Sequence, residues 1–457
     1  MLDPIIKFLK EKDELDAAKI LLDTMAKYAS SIEEYDTLGR LYHDIKEYNS
    51  ARKWAEMALS IAKTPESLYA CRANLAKLCN HMNDPEKALF YLKINERINP
   101  NNPEILLEQV FSFFLLNQKD ESEKILRVLA QRDDIDENVR NRVNFNLGTY
   151  DLYKGKFQEG LRGFILTGKE IDITKKRSLP FKQWEGGIIP GQKLLIAAEA
   201  GIGDEIINFR FCKQLREFGM EPIWMTAGRP DLANVFSKNG TRSYSNLQEV
   251  VENEGQDLMW CYSMALPIYL DVQPDNLWDG PYLTADSEYI EKHAPLFSHT
   301  AHKKKIGVRW SGNSRYEQDL HRVLDAERMF NLLPRDKACI YSLQRDENTE
   351  ILNNYPEIVD LQGSMQTYSD TLGIMSHLDL IITSCTSVAH AALAMGKKVI
   401  VMVPISAYYT WASTHDQTSI WYGDNVTVLR QTDHQNWDKP FEELHLVLIE
   451  FFAKNNK

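Results

Sequence analysis

The apolar residues of this chain change their period once, near residue 170, and the change divides what the two parts can become. Before it they recur at helical spacing, with only a short polar turn every dozen or so residues, which predicts an all-helical segment. After it, short β-rich runs alternate with helical stretches, the pattern of βαβ units and so of parallel sheets. Between Ile171 and Gln192 neither period holds, and Pro180, Gly186, Gly187, Pro190 and Gly191 gather as they do in a linker. The expected class is α plus α/β. Residues 1–169 form helical repeats, 170–192 a linker, 193–296 and 297–437 two Rossmann-like domains, and 438–457 a closing segment whose amphipathic part is Phe441 to Phe452.

A degenerate repeat with a period near 34 residues runs through the helical part. Tyr35, Leu38, Gly39, Tyr42, Ala51 and Ala58 fall at the spacing of a tetratricopeptide repeat, with Pro65 closing the unit. Leu75, Ala76, Ala88, Leu92 and Pro100 make a second copy, and Leu147, Gly148, Gly155, Gly160 and Phe164 the last. A poorer unit lies between Pro103 and Arg132. Small residues at Gly39, Ala51, Gly148 and Gly160 let paired helices approach closely while larger ones fill the groove between hairpins. A generic helical bundle is the alternative.

In the second part the predicted strands are Lys193 to Ala198, Glu221 to Thr226, Lys305 to Trp310, Ala338 to Gln344, Leu380 to Thr383 and Lys398 to Val403. The predicted helices are Glu205 to Gly219, Ala326 to Leu333 and Ser387 to Met395. An extended stretch around Pro267 to Pro295 separates the two sheets.

The balance of charge narrows the partners. With 65 acidic against 53 basic residues the net charge is -12, and no basic stripe interrupts it, so direct nucleic-acid binding is not expected. The six cysteines show no C-x-x-C pair and no zinc spacing, so they read as reduced, mostly buried thiols, and no metal is expected. Charged residues from Asp3 to Asp13 leave no signal-peptide core, and no window approaches the roughly 18 apolar residues of a membrane span. A cytoplasmic location follows as the expectation.

Four segments carry possible chemistry. Glu199-Ala200-Gly201-Ile202-Gly203-Asp204 lies between a buried strand and a helix, where Gly201 and Gly203 let the backbone turn toward a ligand and the helix start attracts anions. Asp204 either caps that helix or, ionised beside its N-terminus, takes a proton from an attacking hydroxyl. At the end of the second domain's first strand, Ser311, Gly312 and Asn313 offer hydrogen bonds to a phosphate, with Arg309 adding charge. His321 and Arg322 bring more positive charge nearby, with a solvated loop pair as the plainer reading. Thr383 to His390 joins a strand to a small-residue helix, so Cys385, Thr386 and Ser387 stand at a helix start able to cradle a diphosphate without metal. His390 lies inside that helix, where a lone histidine is more often a packing residue. Tyr408, Tyr409 and Trp411 follow another strand at the same edge and suit stacking on a base or sugar, or burial against the neighbouring domain.

In this order the motifs resemble those of the heptosyltransferase-like glycosyltransferases of the family nine type, and more closely the bacterial and phage proteins that join tetratricopeptide repeats to such a domain. The resemblance rests on the Glu-x-Gly-x-Gly-Asp turn at Glu199 to Asp204, Trp-x-Gly-Asn at Trp310 to Asn313, and Ser342-Leu343-Gln344. It continues in Thr-x-x-Ala-His at Thr386 to His390, in Trp421-Tyr422-Gly423 through Arg430, and in Trp437. It implies a GT-B fold and transfer of a sugar from a nucleotide-diphosphate donor to a hydroxyl, metal-independent and inverting, with no cofactor beyond the donor substrate. Asp204 carries over as general base. The first Rossmann-like domain becomes the acceptor side and the second the nucleotide-sugar side. Ser311, Asn313, Thr386 and Ser387 then hold the diphosphate with Arg309 or Arg322, and Gln344 joins Tyr408, Tyr409 and Trp411 as base or sugar contacts. The family has Asp where this chain has Cys385, so a heptose donor does not carry over.

The acceptor is expected to be a glycan, a lipid-linked group or a protein, with the repeats binding acceptor or partner. An interaction scaffold that has kept only the shape of the two sheets is the reading from another class. A transferase acting on a protein acceptor, similar in layout to the O-GlcNAc transferases, is the third.

Overall fold

The computed structural model describes residues 2–11, 14–166, 179–300, 302–313, 319–345, 348–412 and 417–454. Residues 170–178 of the expected linker lie outside that set. The chain forms two compact units, residues 1–143 and 144–457.

The first unit is built of helical hairpins. Ile32–Asp44 packs on Tyr48–Ile61, Pro65–His81 on Pro85–Ile98, and Pro103–Leu115 on Lys119–Ala130. Each hairpin turns the same way, for a backbone reason. Lys46, Asn83 and Asn117 adopt left-handed conformations (φ 63°, 60° and 57°). The next amide then reaches back to a carbonyl in the preceding helix: Glu47 to Tyr42, Asp84 to Cys79 and Gln118 to Phe113, at 2.8 to 2.9 Å. This is the helix-ending pattern in which a left-handed residue satisfies the last free carbonyls. The segment from Pro103 to Arg132, expected to be the poorest copy, repeats it as faithfully as the others. A Cβ added at Gly39 would sit 3.3 Å from the Ala51 carbonyl, the close approach predicted from the small residues.

The second unit opens with a further hairpin turn at Gly155 (φ 75°), where Lys156 reaches back to Asp151. The repeat pattern therefore continues in sequence beyond the division at residue 143, so the expected boundary at 169 is not where the compact units part. The linker assignment is also corrected at its end. β1 (Lys182–Gln183) pairs in parallel with β5 (Met259–Tyr262), and Trp184 is buried.

Two all-parallel sheets follow. The first also contains β2 (Lys193–Ala197), β3 (Glu221–Met225) and β4 (Ser243–Tyr244), in the order β1-β5-β2-β3-β4. The second contains β6 (Lys304–Arg309), β7 (Ala338–Ser342), β8 (Val359–Asp360), β9 (Leu380–Ser384), β10 (Val399–Val403) and β11 (Val426–Arg430), in the order β11-β10-β9-β6-β7-β8. β2, β3, β9 and β10 are near-continuous apolar runs because helices cover both faces of a parallel sheet. In each sheet the chain moves outward first to one side and then to the other. The order reverses between β2 and β5 in the first and between β6 and β9 in the second. Ligands of open α/β sheets bind at such reversals, outside the carboxyl ends of the strands.

Some elements differ from expectation. The helix expected at Glu205 to Gly219 begins three residues earlier, at Ile202, and divides at Arg210 into Ile202–Phe209 and Phe211–Glu217. The stretch around Pro267 to Pro295 is not extended throughout, since Leu266–Tyr269 and Ser287–His293 are helical. The closing helix spans Asp438–Lys454. No disulfide joins any two of the six cysteines, and all but Cys339 are buried. Among the described residues no helix is long and apolar enough to cross a membrane. Helical repeats followed by two Rossmann-like lobes are the observed class.

Candidate functional site

The two reversal points face each other. Helix Ile202–Phe209, which follows β2, packs against helix Ser387–Ala394, which follows β9. A Cβ at Gly203 would lie 3.2 Å from His390 Cδ2 and 3.7 Å from Ser387 Cα. A side chain at position 203 would therefore fit only if the His390 ring of the opposite lobe gave way by a few tenths of an ångström.

Asp204 sits in the first turn of its helix, and its two carboxylate oxygens have different neighbours. Oδ2 accepts the Gly201 amide at 3.0 Å, and Oδ1 accepts the Tyr408 hydroxyl at 2.5 Å. Oδ2 thus takes part in the helix cap, while Oδ1 meets the opposite lobe through Tyr408. Burial pushes the Asp204 carboxyl up to about 6, with the Glu199 carboxylate adding to the rise and the two hydrogen bonds opposing it. The helix start alone predicts an easily ionised acid. Desolvation outweighs it here, which leaves a group mostly ionised at pH 7 yet basic enough to accept a proton. Its neighbour Glu205 turns away and is buried against Trp224 and Arg229. Glu199 ties the two loops of the first reversal point together, accepting from the Ser263 amide and hydroxyl and from the Met264 amide at 2.8 to 3.2 Å.

On the second lobe the expected residues separate into two groups. Thr386 begins helix Ser387–Ala394 in extended conformation, and no side chain caps it. The Thr386 hydroxyl meets that of Thr383 at 3.2 Å, and Ser387 is half-buried at the helix start. Asn313 is exposed. Arg322 Nη1 donates to the Cys385 carbonyl at 2.8 Å, its Nε pairs with Asp319 at 2.8 Å, and its guanidinium covers Gly312 so closely that a Cβ there would force it to move. These groups converge between β6 and β9.

Others are corrected. Ser311 and Gln344 are fully buried and bonded to each other. Gln344 Nε2 donates to Ser311 Oγ at 2.7 Å, while its Oε1 accepts the Trp310 and Ser311 amides at 3.3 and 3.1 Å. They shape the loop after β6 from beneath and do not reach a ligand. Arg309 serves the same loop, donating to the Ser311 and Leu343 carbonyls at 3.0 and 3.3 Å. His321 is buried, with its pKa pushed down to about 4, so the pair with Arg322 is not a solvated one. Tyr409 and Trp411 are also buried, which removes them as stacking platforms, and Tyr408 is engaged by Asp204. Burial lowers His390 to about 3; its Nδ1 meets the Tyr422 hydroxyl at 2.7 Å and its ring stacks on Trp411. It is a packing residue whose edge also faces Gly203. Burial raises the Cys385 thiol.

The sequence pointed to no role for Arg210. It stands at the break between the two helices, 8% exposed, and its Nε donates to the Ile207 carbonyl at 2.9 Å. Nη1 donates to the Leu277 and Trp421 carbonyls at 3.3 and 2.6 Å, and Nη2 to the Tyr282 hydroxyl at 3.2 Å. The guanidinium lies 4.8 to 5.6 Å from the rings of Trp278, Tyr282, Trp421 and Tyr422. Such a position is attractive because ring faces are negative. Arg210 and Trp421 thus join the two lobes beside the site. Only the Trp421-Tyr422-Gly423 match hinted at that region.

No protein-family model matches the chain, and no curated protein matches it. Among solved structures it is similar to a glycosyl transferase family 9 protein of Veillonella parvula, at 12% identity over 58% of this chain and 98% of that one, with a TM-score of 0.44. It is similar to the ADP-heptose lps heptosyltransferase II of E. coli, at 11% identity over 57% and 99%, with a TM-score of 0.40. A Thermobaculum terrenum O-GlcNAc transferase mutant aligns over 91% of this chain and 89% of its own at 10% identity, with a TM-score of 0.34. At such identities and scores no residue's role is transferred.

Proposed function

We propose that this protein is a glycosyltransferase that moves a sugar from a nucleotide-diphosphate donor to a hydroxyl acceptor, with Asp204 as general base. One observation carries the reading: a carboxylate at the first sheet's reversal point faces an uncapped helix start at the second's, with Gly203 marking how closely the two approach. In this reading the diphosphate rests at Thr386 and Ser387, where helix amides carry partial positive charge, with Arg322 and Asn313 beside it. Charge developing on the leaving diphosphate is stabilised there by fixed dipoles, without metal. Asp204, from the other lobe, takes the proton of the acceptor hydroxyl as the new glycosidic bond forms, and attack from that side inverts the anomeric carbon.

Calorimetric titration with nucleoside diphosphates in the presence of EDTA tests the donor half. One or more should bind, and replacing Thr386 and Ser387 by Ala should weaken that binding. A protein that binds none of them is a scaffold. The pH dependence of kcat tests the base. Asp204 must be ionised to act, so activity should fall as pH drops through about 6 and level off above it. An acid limb near 4 would mean that another group is titrating.

A further inference from the structure

The phenol on Asp204 comes from the opposite lobe and is held there independently of Asp204. The Tyr408 carbonyl accepts the Trp411 amide at 2.8 Å, and its ring meets Tyr409 and Phe164 edge-on, at 4.5 and 6.1 Å between centroids. Packing thus delivers the hydroxyl to Oδ1, while Oδ2 is tied to Gly201. We infer that Tyr408 is a positioning residue for Asp204: its phenol fixes Oδ1 and favours the ionised carboxylate, so that the base becomes ready as the two sheet edges come together. The inference rests on the reading of Asp204 as the base.

The chemistry supports a donor in this place. A hydrogen bond from a neutral hydroxyl to a carboxylate is roughly twice as strong as one between neutral groups, so it favours the charged form. A carboxylate oxygen has two lone pairs, and Oδ1 can accept Tyr408 and still receive an acceptor hydroxyl. The titratable and charged groups facing Asp204 from the surrounding elements are Glu199 after β2, Cys385 after β9, the His390 edge, and Tyr408 and Tyr409 after β10. Glu199 opposes ionisation. His390 is neutral above about pH 4, since burial holds its pKa near 3, and burial keeps the Cys385 thiol and the Tyr409 phenol protonated. Among the described residues Tyr408 is the side chain that donates to Asp204.

The test needs no substrate. The full-length protein, labelled with carboxyl-13C aspartate, is titrated by NMR, and the resonance missing from Asp204→Asn is assigned to Asp204. Tyr408→Phe should raise the Asp204 midpoint by about one unit, a tenfold loss of the ionised form relative to the protonated one. Placing 3-fluorotyrosine, a more acidic phenol of nearly the same shape, at position 408 should lower it. An unchanged or lowered midpoint in the Phe variant overturns the inference. Should that variant fail to fold, a fluorotyrosine midpoint equal to the natural one overturns it instead. If the midpoints move as expected while Asp204→Asn still transfers sugar, the base assignment fails and the Tyr408 coupling stands.

Discussion

Replacing Asp204 by Asn is expected to lower kcat by about 10²- to 10⁴-fold, the range that a positioned general base contributes, while nucleotide affinity measured by calorimetry stays within about twofold. The substitution is suited to the question because it keeps the shape. An amide oxygen can still accept from Gly201, and the amide nitrogen can donate to the Tyr408 oxygen. Burial disfavours charge at this position, so a neutral side chain should not destabilise the fold. The nucleotide rests on the other lobe in the proposed mechanism, which is why affinity and turnover should separate. Full activity in the variant would remove Asp204 as the base.

The second large effect is one of stability. A Cβ at Gly148 would stand 2.4 Å from the Phe164 amide nitrogen, 2.7 Å from the Gly163 carbonyl carbon and 2.8 Å from the Gly160 carbonyl oxygen. All three neighbours are backbone, so no rotamer change relieves the clash, and the hairpin must splay. Overpacking of this kind typically costs 1–3 kcal/mol; at the upper end Gly148→Ala should lower the Tm of the second unit, residues 144–457, by about 4–5 °C. The loss reaches the site, because Phe164 from the same hairpin packs on Tyr408 and Tyr409. Gly155 offers the contrast. It has open space around it but a φ of 75°, and the equivalent turns use Asn83 and Asn117, so Gly155→Asn should be nearly neutral. Scanning calorimetry of both variants checks the pair, and equal Tm values would show that the helices are not held as closely as Gly148 implies.

What the sequence revealed and what it hid differ in range. Six of the eleven strands among the described residues were legible because buried parallel strands are continuous apolar runs, whereas β1, β4, β5, β8 and β11 were not read from the sequence; the repeat was legible because small residues recur where helices meet. The turn from Gly201 to Asp204 was legible because a strand, two glycines and a helix start are local. The roles of Ser311 and Gln344 were not, since 33 residues separate two side chains that satisfy each other in the interior. Tyr408 looked like a stacking surface because nothing local shows that a carboxylate 204 residues away faces it. The same distance hid the basicity of Asp204, because desolvation depends on what covers a group and not on its sequence neighbours.

Arg210 bears on how the two sheets can move. Among the described residues no carboxylate neutralises it, so its charge is balanced piecemeal, by carbonyl dipoles and ring faces contributed from both lobes. Drawing residue 421 away from it would leave part of a full positive charge without compensation in a medium that screens poorly. Translation of one lobe off the other is therefore costly at this point.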